Sequence, residues 1–177
     1  MNSRSDTDET AVLEKRAQML ARSPRRHSGE KPEGIDFVEF ILSNEAYGLE
    51  LKHIREIYPL KNLAVLPGLP PFILGIINVR GTIVSVVDLK KFFDLAEPET
   101  GRQRYVIILA GEEIVFGVLA DQIIGVKNTD SDQLQPACAT LTGVRDQYLK
   151  GIVDSRLALL DGKRLLGDES LVVKANK

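Results

Sequence analysis

The chain is poor in the residues that build reaction centres. Its 177 residues include one cysteine, Cys138, two histidines, His27 and His53, and no tryptophan. A single thiol forms no intrachain disulfide, so the fold does not rest on an oxidising compartment, and a reducing cytoplasm fits. The histidines lie far apart with no cysteine beside either, and no P-loop, G-x-G-x-x-G, H-E-x-x-H or C-x-x-C occurs. An excess of one charge is missing too. The 23 basic and 25 acidic residues leave a net charge of -2, which gives no field to gather nucleic acid or an anionic membrane. Nowhere do about 18 uncharged apolar residues run together as in a membrane span. The opening MNSRSDTDET is polar and acidic where a secretory signal is basic and then apolar. These absences set the expectation of no catalytic residues, no cofactor, no metal, no nucleic-acid partner, no export and no direct membrane insertion.

What is present suits a soluble core: 44% of residues are hydrophobic and 27% charged. Residues 10–22 carry Leu13, Ala17 and Leu20 on one helical stripe, with Asp6, Asp8 and Glu9 toward the positive end of the dipole. The stretch 23–29, SPRRHSG, has linker composition. Residues 1–34 therefore read as an extension with a short helix. From Ile35 the texture changes to short β-branched and aromatic runs between turn residues, the pattern of an all-β barrel or sandwich. Strands are expected over 35–42, 46–51, 54–58, 72–79, 82–87, 105–110, 114–120, 123–127, 149–153 and 157–160. Asp88 is placed to cap a short helix over 89–93, and a second helical stretch is expected over 141–147.

The two halves resemble each other. Tyr47-Gly48-Leu49 is echoed by Phe116-Gly117-Val118, and Ile54-Arg55-Glu56-Ile57 by Ile123-Ile124-Gly125-Val126 at the same spacing. After a short insertion, Phe72, Gly75, Ile76, Ile77, Asn78 and Arg80 match Tyr148, Gly151, Ile152, Val153, Asp154 and Arg156. Asp88 and the Lys-Lys-Phe-Phe that follows Leu89 match Asp161 and Lys163-Arg164-Leu165-Leu166. Their common order indicates two similar β modules. A module of about 60 residues has too little core to be comfortable alone, so the two are expected to pack on each other.

A hairpin closed by Arg80-Gly81 supports that packing. Gly81 supplies the positive φ of a two-residue turn, pairing Val79 with Thr82, Ile77 with Val84 and Leu74 with Val87. One face then carries Ile77, Val79, Val84 and Val86, the other Leu74, Ile76, Ile83 and Val87. A strand pair apolar on both faces needs cover on both. Arg80 stands at the tip of this apolar hairpin, and period-two spacing puts Glu56 on the strand face of Ile54. A surface ion pair contributes only ~0–1 kcal/mol, too little to explain charges among apolar strands, whereas a charged rim around an apolar patch suits partner binding.

These residues resemble the CheW-like coupling proteins of chemotaxis. The resemblance covers residues 35–166 and is most specific over 72–89, FILGIINVRGTIVSVVDL, with support from Tyr47-Gly48-Leu49, Ile54-Arg55-Glu56-Ile57 and Tyr148-Leu149-Lys150-Gly151. It implies a mainly β fold: two SH3-like five-stranded barrels around a shared hydrophobic core, with few short helices. The domain expected is residues 35–166, its first barrel over about 35–93 and its second over about 102–161, with exchange of chain between them left open, and a tail over 167–177. The resemblance further implies an adaptor joining the cytoplasmic tip of a chemoreceptor to the regulatory domain of the histidine kinase CheA, located in the cytoplasm and recruited to membrane-bound receptor arrays. Matched by position, Glu56 and Arg80 are the interaction-critical charges, with Ile54, Asn78, Val79 and Gly81 shaping the receptor-side groove. The second module resembles the one that offers a kinase contact. Two other readings stay open: an adaptor in another CheA-type pathway, such as surface motility or development, and a small-ligand-binding β-barrel. Gly162 and Gly167-Asp168-Glu169-Ser170 make the final helix shorter than is usual for the family.

Overall fold

The computed structural model describes residues 33–96, 104–137 and 146–173. The strands are β1 (Gly34–Leu42), β2 (Glu45–Glu50), β3 (Ile54–Pro59), β4 (Ile73–Val79), β5 (Thr82–Val87), β6 (Tyr105–Ala110), β7 (Val115–Ala120), β8 (Gln122–Asp130), β9 (Leu149–Val153) and β10 (Leu157–Leu160), with helices α1 (Leu89–Phe92) and α2 (Gly162–Leu166). All ten expected strands are found. β8 runs on to Asp130, further than its β-branched stretch suggests. The helix expected over 10–22 and Cys138 lie outside the described residues, as does most of the stretch 141–147, whose described end opens a 3-10 turn, Asp146–Tyr148.

The protein is mainly β, two five-stranded barrels around one apolar core. One sheet has the order β3-β6-β7-β5-β4 and the other β8-β1-β2-β10-β9. The first, the central barrel, is built from consecutive strands. The second, the flanking barrel, takes two strands from before it and three from after it. The sheets therefore do not follow a division of the chain into 35–93 and 102–161: β1 and β2 pair with β8 and β10, not with β3 to β5. Matched strands of the repeat nonetheless occupy matched places. β5 runs parallel to β7 as β10 does to β2, and a bulge interrupts β3 against β6 where one interrupts β8 against β1.

The repeat extends to the caps. The Asp88 carboxylate accepts from Lys90 N at 2.9 Å, and Asp161 accepts from Lys163 N at 3.0 Å, the N-cap geometry that satisfies orphan donors at a helix start. The two aspartates also donate their own N–H groups to matched carbonyls, Phe72 O and Tyr148 O, each at 2.7 Å. The rings of Phe72 and Tyr148 then meet across Phe92, at 5.0 and 5.4 Å.

Between the sheets lies the shared core. It takes Phe40, Tyr47 and Leu49 from the flanking barrel and Ile107, Phe116 and Val118 from the central one. Each large side chain so buried contributes about 1.5–3 kcal/mol. Leu171, in the stretch read from sequence as a tail, is also fully buried there, in a 3-10 turn capped by Asp168. The interior of the central barrel is a second apolar cluster that includes Ile77, Val84, Val106 and Leu119. No helix among the described residues is long and apolar enough to cross a membrane.

The central hairpin departs from expectation at one end. Val79↔Thr82 and Ile77↔Val84 pair as expected, but Val87 faces Ile73, and Gly75 faces Val86. A bulge at Leu74 produces the shift. Gly75 lies under the backbone of Ala64, which exchanges two 2.9 Å hydrogen bonds with Ile76. A Cβ on Gly75 would stand 2.2 Å from the Ala64 carbonyl oxygen, and its φ is +149. The bulge also turns Leu74 onto the central barrel's interior cluster. Ile83, expected to be covered, stays 60% exposed.

Candidate functional site

The Arg80-Gly81 turn sets the geometry of the site. Both residues have positive φ, +51 and +87, as the primed two-residue turns of hairpins require. The Asn78 side-chain oxygen accepts from Gly81 N at 2.8 Å, an Asx-type contact that holds the tip. Nothing lies within 4 Å of a Cβ built on Gly81, so its glycine serves the backbone and not a close approach. The turn lifts the Arg80 side chain into solvent, 82% exposed, where Nη2 stands 3.4 Å from Glu56 Oε2.

Glu56 reaches that position because β3 bulges. Ile54 pairs with Leu109 and Glu56 with Ile108, so two residues of β3 span one step of β6. A bulge breaks the strict alternation of faces. Ile54 consequently packs against the shared core, while Glu56 lines the mouth of the central barrel with Arg55, Thr82 and Ile108. The expectation that Ile54 and Glu56 share a face is thus corrected. Val79 also faces inward, 4% exposed, and is a wall of the barrel instead of an accessible contact. Glu56 and Arg80 are the two expected charges that come together, around a cleft of about 280 Å³. Arg55 was missed by sequence reading; its only signal was its place between Ile54 and Glu56.

The other barrel has a mouth of its own, with a cavity of about 1060 Å³. Glu39 lines it, 4% exposed, and pairs with Lys127 at 2.9 Å. At the opposite end Glu50, equally buried, meets Lys150 at 2.6 Å and Lys52 at 3.1 Å. Burial pushes the Glu50 carboxyl up, and the two lysines more than offset this, leaving it below the usual carboxylate range. His53 Nε2 lies 3.5 Å from Glu50. Burial holds its imidazole below the ordinary value against the attraction of Glu50. No group of three or more His, Cys, Asp or Glu is placed to hold a metal ion among the described residues.

This arrangement of mouths and exposed charges suits recognition of protein surfaces, and comparison with known proteins points the same way. The family model for the CheW-like domain matches residues 36–170. The chain is 29% identical over 146 residues to a chemotaxis protein CheW of Klebsiella aerogenes, covering 81% of this chain and 88% of that one. It is 29% identical over 151 residues to one from Treponema pallidum, covering 81% and 89%. Among solved structures it is similar to a scaffolding protein, TtCheW of Thermoanaerobacter tengcongensis, at 27% identity and a TM-score of 0.66 over 77% of this chain and 90% of that one.

Proposed function

The chain belongs to the CheW-like family, and from that premise we propose that it is a chemotaxis adaptor coupling methyl-accepting chemoreceptors to the CheA histidine kinase. In this reading it works by affinity and has no catalytic step. It engages receptor tip and kinase regulatory domain at once, so tethering raises the local concentration of one beside the other. It acts in the cytoplasm and is recruited to receptor arrays.

The observation that carries the reading is the Arg80–Glu56 rim of the central barrel's mouth. An ion pair this exposed adds ~0–1 kcal/mol to the fold, yet the hairpin is built to present it: two positive φ angles and the Asn78–Gly81 hydrogen bond fix the tip. Charged groups at a rim govern partner choice and association rate more than stability. We assign receptor-side recognition to Glu56 and Arg80, with Asn78 and Gly81 as positioning residues and Ile54 and Val79 as their packed support.

The test is Arg80→Glu in the full chain, mixed with the receptor cytoplasmic fragment and the CheA regulatory domain of the same genome. The variant keeps the wild-type circular dichroism and melting temperature and loses co-sedimentation with the receptor by about tenfold or more in affinity. Undiminished binding by a folded variant contradicts the assignment.

A further inference from the structure

The chain passes between the barrels twice, and the repeat matches the two crossings residue for residue. Lys52 and His53, just before β3, correspond to Asp121 and Gln122 at the start of β8. The helices beside the crossings are matched too, Lys90 with Lys163 and Leu89 with Gly162. The crossings are nevertheless closed by different means. At one, Lys90, its side chain 3% exposed, meets Asp121 at 2.8 Å, and Leu89 is fully buried in the shared core. At the other, Lys52 stands in the place of the aspartate and pairs with Glu50 at 3.1 Å, so among the described residues no ion pair joins this crossing to α2. Gly162 leaves free the room that Leu89 fills, and the His53 ring takes it. A Cβ on Gly162 would lie 2.6 Å from the ring's Cδ2 and 2.9 Å from its Cγ.

A titratable ring therefore packs where the sister copy has an aliphatic side chain. Its Nε2 is buried, without a hydrogen-bond partner among the described residues, and stands 3.5 Å from Glu50 Oε2. Glu50 already holds Lys150 and Lys52, so a proton on the ring sets a third cation beside one buried carboxylate. On the other side, the Asp161 carboxylate accepts from Lys163 N and Arg164 N and pairs with the Arg164 guanidinium. Turning it toward the ring would uncap α2. Glu50, Lys52, Lys150 and Asp161 are the charged groups around the ring, from β2, the crossing, β9 and the cap of α2; Lys163 and Arg164 on α2 are exposed. A charged ring without a free partner is costly in such a place, and it is relieved by leaving Gly162 for solvent.

We propose that the contact between His53 and Gly162 is a proton-operated joint, closed while the ring is neutral and opened when it takes up a proton, with the Lys90–Asp121 crossing staying shut. Opening frees the start of β3, because Ile54 follows His53 directly and Glu56 stands two residues further on. Acidification therefore loosens the rim that Glu56 forms with Arg80. That consequence rests on the adaptor reading; the joint itself does not. A ring released to solvent titrates near 6.5, so the ratio of open to closed forms rises up to about tenfold between about pH 7.5 and about pH 5.5.

Hydrogen exchange of the full chain, corrected for intrinsic rates, tests the joint at matched amides. These are Leu165 N and Gly167 N at α2, bonded to Asp161 O and Lys163 O, and Phe92 N and Phe93 N at α1, bonded to Asp88 O and Leu89 O. Between about pH 7.5 and about pH 5.5, wild type loses about five- to tenfold of its protection at α2 and less than about twofold at α1, whereas His53→Gln loses less than about twofold at both. Equal losses at the two helices, or the same α2 loss in His53→Gln, overturn the joint. Titration with the receptor cytoplasmic fragment tests the consequence. Gly162→Ala, whose Cβ expels the ring, binds the fragment about threefold or more weakly at about pH 7.5, and His53→Ala combined with Gly162→Ala, which restores room, returns to within about twofold of wild type. If Gly162→Ala binds as wild type does while Arg80→Glu does not, control of the rim falls and the adaptor reading stands. If Arg80→Glu also binds unchanged, the receptor-side assignment falls as well.

Discussion

His53 shows how one half-buried side chain makes the fold sensitive to pH. It sits where the chain crosses from the flanking barrel's β2 to the central barrel's β3, with the start of α2 packed on its ring. A Cβ on Gly162 would lie 2.6 Å from the imidazole Cδ2. Charged groups around it are Glu50, Lys52, Asp161 and Lys150. Burial lowers its pKa from the ordinary 6.5, so the folded chain holds the neutral ring. Its stabilising contribution is full above pH 6.5. Below that value the unfolded chain takes up a proton that the folded chain refuses, and stability falls until the depressed folded pKa is passed. His53→Gln therefore flattens the loss of melting temperature between about pH 7 and pH 5.5; an unchanged slope contradicts the assignment. Glu50 acts at lower pH: held below 4.5, it loses its contribution as pH falls through its folded value. Single residues differed in how legible they were. Gly81 announced its turn because only a positive φ closes so short a loop. Ile54 gave no sign of turning away from Glu56, because the bulge between them reverses its face without changing the composition of the strand.

At the scale of elements, strands were easy to read and their offsets were not. β-branched runs broken by Gly, Asn and Asp mark all ten strands, and a lone aspartate before each helix marks its cap. The bulge at Leu74 lies where another segment approaches the strand from outside it. Ala64 pinned to Ile76 is such an approach, and nothing near Leu74 in sequence records it. Another contact of this kind ties α1 to the second crossing between barrels. Lys90, with its side chain 3% exposed, reaches Asp121 at 2.8 Å, and the other oxygen of Asp121 accepts from Ser43 N at 3.0 Å. Asp121 stands between β7 and β8, where the chain leaves the central barrel for the flanking one. Lys90→Met is expected to lower unfolding free energy by about 2–4 kcal/mol, because it leaves a half-buried carboxylate without its cation. Lys90→Met with Asp121→Asn recovers more than half of that loss, since the amide still accepts from Ser43 without a charge to bury. Urea titrations of the three proteins decide it, and a loss below about 0.5 kcal/mol for Lys90→Met contradicts this role.

For the whole molecule, duplication was legible and its wiring was not. The repeat shows that two modules exist, but matched strands carry nearly the same apolar pattern. Local sequence is therefore silent on whether β1 pairs within its own half or across. The exchange places both crossings, at His53 and Asp121, on the seam between barrels, and a single core closes over it. Two mouths thus belong to one cooperative body, one rimmed by Arg80 and Glu56, the other lined by Glu39 and Lys127. Sedimentation of the full chain with the receptor cytoplasmic fragment and the CheA regulatory domain, separately and together, tests whether that body couples two partners. The account predicts a single boundary that contains all three proteins and forms at lower concentrations than either pair alone. Displacement of one partner by the other, or binding to neither, contradicts it.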